Sequence, residues 1–129
     1  MEQQKSVIID AGHGGAEPGV MFEGRKEKDD TLLLALAVGE ILENNGIRVM
    51  YTRTTDVYDT PLEKAMIANG SGADFFVSIH RNAMPVPGTG KGALNLVYEN
   101  TGPGALMAEN IQKNLVKAGF DDLGVQERP

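Results

Sequence analysis

Cysteine is absent from this chain of 129 residues, and its absence removes several kinds of chemistry. The protein can have no disulfide framework, no thiol nucleophile and no zinc site with cysteine ligands. The same absence fits a cytosolic protein and a bacterial extracytoplasmic protein equally well, so it does not indicate a compartment.

Long apolar runs are lacking too, and none approaches the roughly 20 residues that a membrane-spanning helix needs. The first ten residues, MEQQKSVIID, pass directly into a predicted strand without the apolar segment of a signal peptide. We therefore expect no transmembrane segment, and we expect any export signal or targeting module to be absent from this sequence.

Positive charge is scarce relative to negative charge: 12 Lys and Arg stand against 18 Asp and Glu, for a formal net charge of -6. Phosphate groups would be repelled by such a chain, which disfavours nucleic acids and anionic membranes as partners. A glycine-rich segment after a first strand can cradle phosphate. However, the sequence has no G-x-G-x-x-G motif and no P-loop lysine, so a nucleotide-binding domain is also disfavoured.

The apolar pattern predicts the element order β-α-β-α-β-β-α. Strands are predicted in SVIID, IRVMYT, ADFFVSIH and ALNLVYE, and helices in DDTLLLALAVGEILENNG, in the segment that begins at Pro61, and in GPGALMAENIQKNLVKAGF. Residues 11–30 are predicted to form a long polar loop. The alternation of strands and helices favours a single α/β domain over 1–129, with a mostly parallel sheet and helices on both faces.

Helix ends carry recognisable signals. Asp29, Asp30 and Thr31 supply capping chemistry for the first helix, which is apolar on most faces and therefore expected to be well buried; Asn45-Gly46 supplies its stop. The second helix has Thr60 as a predicted N-cap, Pro61 at its first position and Glu63 completing a capping box. In the third helix, a stripe of Leu106, Ile111, Leu115 and Val116 precedes a C-cap at Gly119.

The chain has only two histidines, His13 and His80, and each follows the carboxyl end of a predicted strand. Ligands of parallel sheets bind at that edge, so the two imidazoles share one rim if the first and third strands are neighbours. The glycines beside His13 leave room for a ligand or metal and permit unusual backbone angles. A lone histidine here is more often structural, but two at equivalent positions favour a site.

A hydrolytic zinc ion commonly has two histidine ligands, one carboxylate and a water. Chemistry alone does not choose the carboxylate, because five acidic residues lie between the first strand and the first helix: Glu17, Glu23, Glu27, Asp29 and Asp30. Acidic residues that open a helix are also ordinary, since they are favourable to its dipole.

The segments VIIDAGHGG, KEKD before a helix, AN, and ADFFVSIHRNA occur in this order. Together they resemble the zinc-dependent N-acetylmuramoyl-L-alanine amidases of bacterial cell-wall lysis, the Amidase_3 family. The resemblance implies a Zn²⁺ site formed by His13, Glu27 and His80, and an extracytoplasmic enzyme acting on peptidoglycan. It implies hydrolysis of the amide bond between the lactyl group of N-acetylmuramic acid and the L-alanine of the stem peptide. Asp10 and Asn82 are candidates for orienting the imidazoles, although a strand-end turn and a loop cap explain them equally.

Three departures from the family pattern matter. Lys64 stands where the family has an arginine, and GALNLVYE replaces a more aromatic fourth strand. The family continues beyond a segment like Gly124-Val125 into a last strand, which carries the catalytic acid/base glutamate, and a last helix; no residue of this chain matches that glutamate. The resemblance therefore predicts a zinc-binding chain with little or no amidase activity, unless Glu17 or Glu23 serves as the base.

Loss of that strand and helix would leave an exposed sheet edge, which another chain could complete. The alternative function is a non-catalytic, amidase-like module that binds peptidoglycan or a regulator.

Overall fold

A computed structural model describes residues 4–81 and 92–128. The chain divides into two compact units, Met1–Asn82 and Ala83–Pro129, which are described in turn. The sequence RNAMPVPGTGKG is typical of a flexible loop, and its residues 82–91, including Asn82, lie outside the described residues. No helix in the described part of the chain is both long and apolar enough to cross a membrane.

The first unit alternates strands and helices. Its elements are β1 (Ser6–Ala11), β2 (Met21–Phe22), β3 (Arg25–Lys26), α1 (Glu27–Asn44), β4 (Arg48–Tyr51), α2 (Pro61–Ser71) and β5 (Phe75–Ile79). The main sheet has the order β4-β1-β5, and both pairs are parallel. The predicted first and third strands, β1 and β5, are therefore neighbours, and their carboxyl ends lie side by side.

Strand β1 is buried along its whole length because it is central and covered on both faces. Successive side chains of a strand point to opposite faces. Val7, Ile9 and Ala11 form the core with Ala35 of α1, whereas Asp10 points to the other face, where it pairs with Lys64 of α2. The two helices thus cover opposite faces of the sheet, in agreement with the predicted architecture.

The predicted start of α1 is wrong by two residues. The helix begins at Glu27, and its N-cap, Lys26, makes no side-chain capping bond. Instead, the first helical N–H groups, those of Glu27 and Lys28, donate to the carbonyls of Val20 and Pro18 at 2.8 and 3.0 Å. Asp29, Asp30 and Thr31 lie inside the helix and do not cap it.

The expectation that α1 is buried on most faces is also wrong. Leu33, Leu34 and Ile41 are 70%, 51% and 62% exposed within this chain. The helix ends as predicted, because Asn45 is the C-cap and Gly46 follows in the left-handed region with φ 83°.

Helix α2 has the predicted capping box. The Oγ1 of Thr60 accepts from the Glu63 N–H at 3.1 Å, and Glu63 Oε1 accepts from the Thr60 N–H at 3.0 Å. Pro61 occupies the first turn, where its missing N–H costs no hydrogen bond. This local sequence signal alone therefore fixes where α2 begins.

The segment predicted as one long polar loop contains a small hairpin. Met21 and Phe22 pair with Lys26 and Arg25 in an antiparallel ladder. The turn needs the left-handed region, with φ 49° at Glu23 and φ 79° at Gly24. This hairpin leads directly into α1 and places Glu27 at the edge of the main sheet.

The second unit is a β-α-β crossover of β6 (Gly92–Val97), α3 (Gly102–Lys117) and β7 (Asp121–Glu127). The two strands are parallel neighbours. Strand β7, which contains most of the GVQERP ending, was not predicted. Helix α3 buries Ala105, Ala108 and Gln112.

Only part of the predicted apolar stripe of α3 packs inward: Ile111 and Leu115 are half-buried, whereas Leu106 is 60% and Val116 is 38% exposed. The C-cap of α3 is Ala118 rather than Gly119. Gly119 follows it with φ 112°, a backbone conformation that glycine adopts without strain.

Candidate metal centre

His13 follows β1 in an unusual backbone conformation. Its φ is 65°, in the left-handed region that residues other than glycine rarely occupy. Gly14 and Gly15 continue the turn with φ 144° and 55°. The glycine-rich sequence after β1 therefore lets the chain reverse sharply and turn the imidazole back toward the sheet edge.

Glu27 is the first residue of α1 and one of the most buried side chains described, at 1% exposure. Its Oε1 accepts from the Val20 N–H and its Oε2 from the Arg81 N–H, each at 3.0 Å. Burial alone would raise the pKa of this carboxyl. The two backbone donors outweigh burial and hold the Glu27 pKa below its usual value, and either imidazole adds to this effect when it is protonated. The side chain is therefore a carboxylate at neutral pH.

His80 directly follows β5, one strand away from His13. The Gly12 N–H donates to the Ile79 carbonyl at 2.9 Å, which joins the ends of the two strands. A Cβ on Gly12 would lie 2.5 Å from the His80 ring. Only glycine at position 12 therefore leaves space for this imidazole, which explains the glycine that precedes His13.

The three side chains converge on one point. Nε2 of His13 and Nδ1 of His80 each lie 3.1 Å from Glu27 Oε2. One ligand atom from each residue lies within 4.8 Å of the other two, and the rings meet edge to face with centroids 5.1 Å apart. Two nitrogen donors and one carboxylate oxygen are a common zinc ligand set in hydrolytic sites.

Glu17 determines which nitrogen of His13 faces this point. Its Oε1 lies 3.0 Å from His13 Nδ1, and because a carboxylate oxygen can only accept, Nδ1 donates the proton. In the neutral ring, the lone pair of Nε2 then faces the Glu27 carboxylate. Two lone-pair atoms at this separation repel each other unless a proton or a metal cation lies between them, and two imidazole nitrogens with one carboxylate oxygen around the same point fit a divalent metal.

The distances are consistent with zinc. Ligands about 2.1 Å from a tetrahedral zinc ion are separated from each other by roughly 3.4 Å, close to the two 3.1 Å separations observed here. Of the five acidic residues that the sequence left open, the structure brings only Glu27 into the group of potential ligands within its described part.

The other acidic residues near the site have different partners. Asp30 accepts from Arg25 and from Arg81 at 2.9 and 2.6 Å, and the resulting cluster braces the hairpin against α1. Glu23 is exposed in the hairpin turn. The sequence did not predict that Glu17 would orient His13. The only signal for this role was its position in the glycine-rich loop, four residues after His13.

Asp10 has partners other than the expected imidazoles. Its oxygens accept from Thr52 Oγ1 at 2.8 Å and Ser78 Oγ at 2.6 Å, and Lys64 Nζ lies 3.0 Å away. Burial raises the pKa of Asp10, but the hydrogen bonds and the ammonium charge outweigh it and lower the pKa overall. Asp10 therefore ties β4, β5 and α2 to β1 beneath the site, while Asn82 lies outside the described residues.

A cavity of about 530 Å³ opens beside the histidines. Its wall is formed by the two imidazoles, by polar side chains and by an apolar strip from α2 and β5: Asp10, His13, Glu17, Tyr58, Asp59, Pro61, Lys64, Ala65, Ala68, Asn69, Phe76, Ser78 and His80. A concave site with an apolar wall and a few convergent polar groups is typical of a ligand-binding pocket.

Comparison with known proteins agrees with this geometry. The family model described as Amidase_3, N-acetylmuramoyl-L-alanine amidase, matches residues 7–129. The sporulation-specific N-acetylmuramoyl-L-alanine amidase of Bacillus subtilis strain 168 is 38% identical, over 92% of this chain and 46% of its own length. The endolysin of Bacillus phage SPP1 is 36% identical, over 93% of this chain and 46% of its own length. The chain thus spans about half the length of these relatives.

Solved structures match over nearly the whole chain. An N-acetylmuramoyl-L-alanine amidase from Clostridium difficile 630 superimposes with a TM-score of 0.90 at 32% identity, over 98% of this chain and 71% of that one. AmiC2 of Nostoc punctiforme gives a TM-score of 0.89 at 27% identity, over 99% and 71%. The α/β fold with a mostly parallel sheet is therefore confirmed, and the chain belongs to the Amidase_3 family of N-acetylmuramoyl-L-alanine amidases.

Proposed function

We propose that this chain carries the zinc site of a peptidoglycan amidase. In this proposal, the bond hydrolysed joins the lactyl group of N-acetylmuramic acid to the L-alanine of the stem peptide. The observation that carries it is the convergence of His13, Glu27 and His80 on one point at the carboxyl edge of the sheet. The names of the relatives, which include amidases and a phage endolysin, support the same substrate.

The metal in this proposal is zinc, held by Nε2 of His13, Nδ1 of His80 and Oε2 of Glu27. When bound, zinc supplies a water nucleophile at neutral pH and polarises the carbonyl group. Glu27 is already ionised before an ion binds, because its pKa is lowered. The carboxylate therefore needs no deprotonation to accept the ion.

The protein's own groups orient these ligands. Glu17 holds the proton on His13 Nδ1 and so keeps Nε2 available. The N–H groups of Val20 and Arg81 hold one oxygen each of Glu27. Because these donors and acceptors belong to fixed backbone and to short contacts, the ligand atoms are oriented before an ion binds, which reduces the cost of forming the site.

The cavity beside the histidines would take the stem peptide. Its apolar strip, from Pro61, Ala65, Ala68 and Phe76, offers a surface for the methyl groups of alanine residues. At the floor of this cavity, the carboxylate of Asp10 pairs with the ammonium of Lys64. The proposed peptide site therefore has an apolar wall and an ion pair at its floor.

We further propose that the 129-residue chain binds zinc and peptidoglycan but turns over slowly. General acid–base catalysis contributes about 10²–10⁴-fold to such hydrolysis, and no residue here matches the family's acid/base glutamate. Glu17 is disfavoured as a substitute because its carboxylate already accepts a hydrogen bond from His13. Glu23 is disfavoured because it lies exposed in the hairpin turn, outside the residues that line the cavity.

Metal analysis of the purified chain tests the proposal. One zinc ion per chain is expected in the wild type and much less in His13→Ala and in His80→Ala, with Asp29→Asn as a control on the exposed side of α1. Dye release from labelled cell walls then measures activity at saturating zinc. Absence of stoichiometric zinc in the wild type would contradict the zinc site. Robust dye release would contradict slow turnover. Cell-wall binding without release agrees with slow turnover and with the non-catalytic module alike, and dye release by a version of the chain extended by the family's last strand and helix decides between them.

The place of action is also a proposal. A chain that hydrolyses peptidoglycan would work in the bacterial cell wall, outside the cytoplasmic membrane. Its net charge of -6 supports a partner other than nucleic acid, since phosphates would be repelled.

A further inference from the structure

The segment between β4 and α2, residues 52–60, lies against the histidine loop and makes contacts that the metal site itself does not explain. Arg53 is the central residue of these contacts and is only 4% exposed. Its Nε donates to the Ala11 carbonyl at 3.1 Å, and one terminal nitrogen donates to the Gly12 carbonyl at 3.2 Å. These are the two residues immediately before His13.

The same guanidinium reaches the second ligand segment. The nitrogen that binds Gly12 also donates to the Lys28 carbonyl at 2.9 Å, and Lys28 directly follows Glu27. Its other terminal nitrogen donates to Thr55 at 3.0 Å. The acceptors of Arg53 are thus mainly backbone carbonyls, and burying a cation against such groups costs free energy. An apolar side chain would fill this part of the core at a lower cost in free energy than the buried guanidinium does.

The contacts of Arg53 form a first clamp, on the residues before His13. A second clamp holds the residues after it. Lys28 Nζ donates to the Gly15 carbonyl at 2.8 Å and to Asp56 Oδ2 at 2.7 Å. The other oxygen of Asp56 accepts from the Gly15 N–H at 2.8 Å. Between the clamps, Gly14 is pressed against the backbone of Val57, where a Cβ would lie 1.9 Å from the carbonyl oxygen.

His13 stands between these two clamps at φ 65°. A left-handed conformation at a non-glycine residue is strained and persists only where the surroundings impose it. Arg53 on one side and the Lys28–Asp56 pair on the other supply part of these surroundings. Thr31 Oγ1, which donates to the Gly12 carbonyl at 2.8 Å, and the paired backbones of Gly14 and Glu17 supply the rest. If the Arg53 and Asp56 contacts were lost, we expect the loop to relax toward φ below zero and the imidazole to move away from Glu27.

The geometry points to Arg53 and Asp56 as positioning residues of the metal centre. They act through the backbone of residues 11–15 and hold His13 in the strained conformation that directs Nε2 at Glu27. This inference rests on the proposed zinc site. It assigns a role to a segment that touches neither the ion nor the bond to be hydrolysed.

The experiment compares zinc affinity in four variants of the full 129-residue chain. Arg53→Lys replaces the guanidinium fork by a single donor nitrogen, and Asp56→Asn removes the charge that pairs with Lys28. The matched controls are Thr54→Ala, an exposed neighbour, and Asp29→Asn, which removes a carboxylate charge at an exposed position of α1. Zinc affinity is measured by competition with a chelator and corrected for the folded fraction, determined without metal.

We expect zinc affinity to fall about 10- to 100-fold in Arg53→Lys and in Asp56→Asn, and to change less than about threefold in both controls. The visible absorption of bound Co²⁺, which reports ligand geometry, should change in the same two variants. A purely structural role would lower stability without altering either reading in the folded protein. If Arg53→Lys does not fold, Asp56→Asn with its control decides.

The two proposals fail differently. Wild-type zinc affinity and Co²⁺ absorption retained in folded Asp56→Asn and Arg53→Lys would overturn the positioning role and leave the zinc site intact. A wild-type chain that binds neither ion would overturn the zinc site, and the positioning role with it.

Discussion

The Nδ1 of His13 lies 3.0 Å from Glu17 Oε1, so a side chain four residues further on selects the ring nitrogen that faces Glu27. A carboxylate that accepts from the remote nitrogen of a metal-bound imidazole fixes its tautomer and raises its basicity. His13 and Glu17 therefore form a unit, although only one of them reaches the proposed ion.

The first prediction concerns that unit. Glu17→Gln keeps the size of the side chain but removes the negative charge opposite Nδ1, and zinc affinity should fall about 10- to 100-fold. Isothermal titration with zinc measures it, with Glu23→Gln as the control because that residue is exposed in the hairpin turn. Equal losses in both variants would mean that general electrostatics, not the contact with His13, sets the affinity.

The second prediction uses the close approach of Gly12 to His80. In Gly12→Ala, the new Cβ would lie 2.5 Å from the imidazole, so the ring must move and zinc binding should be lost or reduced at least tenfold. Gly70→Ala in α2 is the control, since nothing lies within 4 Å of its Cβ position. There, alanine should stabilise the helix by up to about 1 kcal/mol. Zinc titration and urea unfolding of both variants provide the test.

The third prediction concerns acid sensitivity through Asp10. Its pKa is lowered in the folded state, so its ionised form stabilises the fold above the ordinary carboxyl pKa of about 3.9. That contribution is lost as pH falls through the lower folded value. Asp10→Asn should cost more than about 1 kcal/mol of unfolding free energy at pH 7, because Lys64 loses its partner. The deficit should shrink below about pH 4.

Urea unfolding of the wild type and Asp10→Asn between pH 2 and 7 gives this difference directly. Asp29→Asn, an exposed first-turn residue of α1, serves as the control and should show a small difference at every pH. A deficit for Asp10→Asn that stays constant down to pH 2 would show that lost packing, not lost charge, is responsible.

The fourth prediction concerns the capping box of α2. Thr60→Ala removes the acceptor for the Glu63 N–H and should lower the free energy of unfolding by about 1 kcal/mol. Thr60→Ser keeps an oxygen in place and should lose much less. Chemical denaturation in the absence of metal measures both, and an alanine variant as stable as the serine variant would contradict the role of the cap.

The features that could be predicted from the sequence are those that depend on residues close together in the chain or on where a strand ends. The capping box at Thr60 was predicted correctly because every group in it lies within four residues. The rim position of His13 and His80 followed from two strands that end alike and turn out to be neighbours. Glu27 could not be selected by chemistry alone among the nearby acids, and only the family resemblance pointed to it before the structure brought it to the two imidazoles.

The errors have a common physical cause, which is tertiary contact overriding local signals. The start of α1 was misplaced because backbone carbonyls of Pro18 and Val20, not a side chain, accept from its first N–H groups. Strand β7 was missed because DDLGVQE is rich in charge and contains glycine, whereas pairing with β6 holds it extended. The clamp by Arg53 had no signal in the sequence, since the carbonyls through which it holds the histidine loop and α1 belong to residues 25 to 42 positions away.

The three convergent side chains also belong to segments that are far apart in the chain, with 53 positions separating His80 from Glu27. An ion held among them would act as a removable cross-link between β1, α1 and β5. By mass action, free zinc at a hundred times its dissociation constant would add about 2.7 kcal/mol to the stability of the fold. Bound zinc would then also slow the digestion of this chain by proteases, because proteases cleave the opened form whose population the ion reduces.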